Sequence, residues 1–354
     1  MAVEKASFNT LNAMRGVAAI GVMLFHGDSL LGTQFCPRGY LAVDLFFVLS
    51  GFVIGYAYDP RLAAGLEWKA FARIRLVRFY PLYLLGLSIG VVRELALIVT
   101  GNSYALGASG LILSLAAALL FLPMPLAQRD HALFSLNIPS WSLMYELIAN
   151  IAYAAAFPRL TNRRLMAVTG IAGTLLVVLI LRAGTADLGA HAADIPAALA
   201  RTAFSFGVGL LVFRLGMRGL RLPPLLILLV VALCLIVPEQ AGIAYDLIFI
   251  LFISPLLVVL GASAEPSRRM RDGFVWLGII SFPLYAIHRP VLSLAEGVAR
   301  AAGVPGFWLG ALAMAGILAI SSLLDRWFDS PIRKAISTRF HARPVRDPAE
   351  AAAP

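Results

Sequence analysis

Ten predominantly apolar runs divide the chain, at about residues 10–30, 40–58, 79–99, 140–158, 164–182, 197–213, 222–238, 242–261, 273–297 and 306–325. A helix needs roughly 17 to 25 such residues to cross the hydrocarbon core of a bilayer. Within that core each backbone polar group must find its partner inside the segment. The pattern therefore predicts an all-α fold: a polytopic membrane helix bundle with about ten transmembrane helices. Composition agrees, since 60% of the 354 residues are hydrophobic and only 14% are charged. A formal charge of +10 would suggest a nucleic-acid partner for a soluble chain. Here, Lys and Arg concentrated in cytoplasmic loops account for it, so membrane lipids are the expected neighbours and no nucleic acid is expected.

An eleventh apolar segment, at about 109–126, is broken near its end by Pro123 and Pro125. If it does not cross, and the N-terminus is cytoplasmic, the basic clusters at 61–78, 159–164, 214–221, 268–271 and 326–346 all lie inside with Lys5. If it crosses, the later clusters move outside, against the positive-inside rule. It is therefore read as re-entrant or interfacial, with both termini cytoplasmic. The first run contains Arg15 and no small-residue cleavage site follows, so it is read as retained. Residues 1–335 are expected to form one integral membrane domain, and 336–354 a short, disordered cytoplasmic tail. Cys36 and Cys234 have no metal or redox spacing and read as small packing residues. No internal repeat of the kind that marks many transporters is visible.

Charged groups inside the apolar runs are the candidates for chemistry, because each is costly in hydrocarbon and must face protein or a wet cavity. On one helix, Arg15 and His26 stand roughly 16 Å apart and within about 20° of the same face. Asp44 opens the second run. A polar network that only pins helices together is the structural alternative. Arg73, Arg75 and Arg78 precede Tyr80-Pro81. They suit phosphate or, equally, anchoring to anionic lipid. Ser142, Glu146 and Asn150 recur every four residues, as one stripe of a helix. They are read either as functional or as a hydrogen-bond ladder between helices. His288 sits between Pro283 and Pro290, where a kink is expected. By depth, His26, Asp44, Ser142, Glu146 and His288 belong to the outer half, and Arg15 with the 73–78 cluster to the inner side.

These residues resemble the motifs of the integral membrane acyltransferase family 3, whose members O-acylate extracellular glycans and other acceptors. Arg15, ten intervening residues and His26 look like its first-helix motif. GYLAVDLFFVLSGF is similar to its second-helix signature, RLVRFYPLY to its arginine pair, and SWSLMYE to its Ser-x-x-x-Glu motif. LYAIHRPV and DSPIRK are weaker matches, with Asp329 where Glu is usual. The chain resembles the stand-alone, ten-crossing type, expected in the cytoplasmic (inner) membrane.

The resemblance implies a cytoplasmic acyl-CoA donor, acetyl-CoA or another, no metal, and a glycan or other hydroxyl acceptor reached from outside. Arg75 and Arg78, with Arg73 nearby, would hold the nucleotide phosphates. The pantetheine arm would thread inward past Arg15 until the thioester lies near His26. Neutral His26 would act as general base, oriented by Asp44 or Glu146, as in triad logic. Ser142 would position the acceptor or donate to the oxyanion, and His288 would bind substrate. Direct transfer and a covalent acyl group on His26 or Ser142 both stay open. The competing class is a carrier or flippase for a lipid-linked glycan, which would use the same polar residues as a translocation path.

Overall fold

A computed structural model describes residues 8–341. Lys5 and residues 342–354, with the expected tail's Arg343 and Arg346, lie outside the described residues. The described chain is all-helical and forms no strand. The first half holds α1 (Asn9–Phe25), the single turn α2 (Asp28–Leu31), α3 (Ala42–Ala63), α4 (Trp68–Val99), α5 (Gly107–Leu119), α6 (Ser140–Ala156) and α7 (Asn162–Ala183). The second half holds α8 (Ile195–Arg214), α9 (Pro224–Leu235), α10 (Gly242–Ile248), α11 (Ser254–Ala262), α12 (Arg268–Ala302), α13 (Gly306–Leu324) and α14 (Ser330–His341). α14 reaches His341, so the first residues of the expected disordered tail are helical.

Each of the ten apolar runs is helical, and among the described residues seven helical stretches are long and apolar enough to cross a membrane. Of the other three, α1 and α6 have 17 residues each and α9 has 12. Large apolar side chains such as Ile171, Leu229, Phe252 and Leu312 stand exposed on these helices, as on a lipid-facing surface.

The segment at 109–126 becomes α5, which at 13 residues is shorter than the roughly 20 a crossing requires. Its ends are held by side chains. The buried Glu94 carboxylate accepts from the Leu106 backbone N–H at 2.6 Å, from Arg93 at 2.8 Å and from Arg129 at 2.5 Å. Tyr80 donates to the carbonyl of Leu119 at the helix end. Tyr83 donates to that of Ala118, which also accepts from the Phe121 N–H at 2.8 Å.

Small residues set the closest helix contacts, as is usual where no hydrophobic force separates helix from lipid. α1 runs against α12, where a Cβ on Gly16 would meet the Leu277 carbonyl oxygen at 2.3 Å. α3 and α8 interlock in the same way: a Cβ on Gly51 or Gly209 would lie 2.1 Å from the carbonyl oxygen of Phe206 or Val48. In α12, Pro290 cannot donate to Ala286 four residues back. The freed Ala286 carbonyl accepts instead from the Asn137 side-chain amide at 2.9 Å. Cys36 is buried, and burial pushes its thiol up to about 11, which leaves it un-ionised at neutral pH, as a packing residue would be.

Candidate active site

α1, α3, α4, α6 and α12 line a cavity of about 390 Å³. On α12 its lining runs from Val275 to Tyr285, about 15 Å at 1.5 Å per residue. Arg15, Arg75 and Arg78 line it together with apolar groups that include Phe46, Phe47 and Phe282. The sequence spacing explains the cationic side, because Arg75 and Arg78 are one turn apart on α4. Arg73, on the other side of that helix, is exposed and does not line the cavity.

The two α4 arginines are held differently. The Arg75 guanidinium lies over the Phe79 ring at 4.8 Å and is 3.4 Å from Glu146. Arg78 lies over Phe282 at 5.1 Å and bonds Asp329 at 2.9 Å. Asp329 is buried in a π-helical turn, Asp325–Asp329, and also takes Arg333 at 3.0 Å. The closing DSPIRK segment thus braces one of the cavity's cations. Arg15 makes no hydrogen bond or ion pair with any described residue. A guanidinium turned into a cavity without such a partner is suited to an anionic ligand.

Hydroxyl groups gather around the Glu146 carboxylate and beyond it. Ser50 donates to Glu146 at 2.5 Å, and the Asn150 amide donates to the Glu146 backbone carbonyl at 2.7 Å. Ser142 and the Tyr285 hydroxyl are 2.6 Å apart, and Ser142 also donates to the Pro139 carbonyl at 3.0 Å. The Tyr285 ring lies 5.6 Å from that of His288, so it touches both the cavity and the next turn of α12. There His288 Nε2 is 3.1 Å from His26 Nδ1. Neither histidine lines the cavity itself.

Two expectations about the histidines change. Asp44 does not orient His26: it is completely buried against Arg201, which grips its two oxygens at 2.8 and 2.6 Å. Arg201 also donates to the carbonyls of Leu188 and Tyr40. Taking a carboxylate out of water requires such complete pairing. Glu146 does not reach His26 either, being occupied by Ser50 and Arg75. His288, expected to bind substrate, uses Nδ1 on the carbonyls of Tyr285 and Leu284 and Nε2 on His26. Among the described residues no three His, Cys, Asp or Glu side chains gather to hold a metal ion.

Sequence reasoning missed Tyr285, Ser50 and Arg201. Tyr285 was within reach of the argument, one turn before His288 on the same face. Arg201 satisfies the rule that singled out Arg15, as an ionisable residue inside an apolar run. No local pattern marks Ser50.

Fold and site together define a multi-pass helical membrane protein with an arginine-lined internal cavity. A family model described as "Acyltransferase domain" matches residues 8–326, nearly the whole chain, and the protein belongs to that acyltransferase-3 family. "Protein 2 in picA locus" of Rhizobium radiobacter is 35% identical over 179 residues, covering 48% of this chain and 93% of the relative. "Exopolysaccharide production protein ExoZ" of Rhizobium meliloti is 28% identical over 158 residues, covering 44% of this chain and 45% of the relative. No solved structure matches the chain.

Proposed function

We propose that the protein is a membrane O-acyltransferase of the inner membrane. It takes an acyl group, acetyl in the simplest case, from cytoplasmic acyl-CoA and delivers it to a hydroxyl of an extracytoplasmic or lipid-linked glycan. The observation that carries this reading is the cavity lined by Arg15, Arg75 and Arg78, with Ser142 and Tyr285 at its far end and the histidine pair one turn beyond. Guanidinium forks suit the phosphates of the nucleotide. The aromatic wall suits the acyl-pantetheine arm. One relative's name refers to exopolysaccharide production, which supports a polysaccharide as the acceptor class.

In this scheme His26 takes the proton of the acceptor hydroxyl as its oxygen bonds the acyl carbon. The C–S bond breaks, and the proton passes from His26 to the departing CoA thiolate. The hydroxyls of Ser142 and Tyr285 are the candidate donors to the oxyanion. Purified protein in liposomes, given labelled acetyl-CoA, should release free CoA only when acceptor glycan is supplied, with label on the glycan. Movement of a lipid-linked glycan across the bilayer without CoA release would overturn the proposal in favour of a carrier.

A further inference from the structure

Resting on the reading of His26 as the base, we propose that His288 is a positioning residue that, together with the Val22 carbonyl, sets which nitrogen of His26 carries the proton. His288 Nδ1 lies 2.9 Å from the Tyr285 carbonyl oxygen and 3.2 Å from that of Leu284. A carbonyl oxygen only accepts, so neutral His288 holds its proton on Nδ1 and presents a bare lone pair at Nε2. That lone pair faces His26 Nδ1 at 3.1 Å. Two lone pairs do not bond, so His26 Nδ1 is the protonated nitrogen. The Val22 carbonyl, 3.1 Å from the same atom, makes the same demand. A neutral imidazole has one N–H, and His26 Nε2 is left bare to take the proton of the acceptor hydroxyl.

Backbone carbonyls of α12 thus act on His26 through a second imidazole, while the Val22 carbonyl of α1 acts on it directly. When His26 becomes imidazolium, its Nδ1–H bond to His288 turns charge-assisted and strengthens. In a serine-hydrolase triad a carboxylate does this work. Among the described residues no carboxylate bonds either ring, and the adjacent Arg289 is ion-paired with Glu296 at 3.1 Å.

The direct test is solid-state NMR of histidine-¹⁵N-labelled protein in bilayers, with the His26 signals identified by their loss in His26→Gln. The expected result is a protonated Nδ1 and a bare Nε2 on His26. Kinetics supply the second measurement. His288→Leu should lower kcat about 10- to 100-fold, as loss of an orienting partner does, with KM for acyl-CoA unchanged. His288→Gln, whose amide oxygen still accepts from His26 Nδ1, should recover most of that loss. A proton on Nε2 of His26 in the unaltered protein, or full kcat in His288→Leu, overturns the proposal. The expected tautomer in a protein that transfers no acyl group supports the proton assignment and removes the acyltransferase reading instead.

Discussion

Arg201 closes its guanidinium fork on Asp44, at 2.8 and 2.6 Å, and so ties α8 to α3 in the bundle interior. Both side chains are almost wholly buried. Removing one partner leaves an uncompensated charge, at a cost of about 3–5 kcal/mol. Arg201→Ala and Asp44→Asn should therefore lower the yield of folded protein and its thermal midpoint. Acyl-CoA affinity of the folded fraction should be unchanged. Loss of turnover without loss of stability in Asp44→Asn would return Asp44 to the chemistry.

Asn137 makes a similar bond for a different reason, filling the carbonyl that Pro290 leaves open. Asn137→Ala should cost about 1–3 kcal/mol, the usual penalty for an unsatisfied buried acceptor. The double variant Asn137→Ala with Pro290→Ala should regain much of it, because residue 290 can then donate to Ala286. Thermal unfolding of the two variants beside the unaltered protein measures this.

Arg75 and Arg78 line the cavity, and Arg73 does not. Hydrogen bonds to charged groups contribute about 1.5–3 kcal/mol each. Arg75→Ala and Arg78→Ala should each weaken CoA binding about ten- to a hundredfold, and Arg73→Ala should leave it unchanged. Lysine at 75 or 78 should restore only part, because a point charge does not reproduce a bidentate fork. Calorimetry with CoA is the check, and equal affinity in all variants would make the arginines lipid anchors.

His26→Gln should insert, fold and bind acyl-CoA, since the amide keeps polar contacts with neighbouring groups. It does not accept a proton at neutral pH, so the rate of acyl transfer should fall about 10²- to 10⁴-fold. Near-normal turnover would remove His26 from the mechanism.

Reporters inserted on either side of α6 read the topology. One near Asp130 should lie outside and one near Asn162 inside, if α5 stays on the outer side. An inside signal at Asp130 would show that the segment crosses.

The helices were legible in the sequence because hydrocarbon thickness and backbone satisfaction are local constraints, met or failed within one run of residues. So was the arginine cluster, since it depends only on helical repeat. The partners of the buried charges were not. Asp44 meets Arg201, 157 residues away, while His26 meets His288, 262 residues away. Such pairings depend on the depth of each helix and its rotation about its axis. An amphipathic soluble helix declares that rotation by its polar face. Helices such as α9, apolar on every side, do not. The rotation is settled instead by small residues such as Gly16 and Gly51, which admit a neighbouring backbone at one angle. The sequence alone determined which ionisable groups had to find partners within the bilayer. Only the packing of α1 on α12 and of α3 on α8 decided that Asp44 would hold the bundle together and that His288 would stand beside His26.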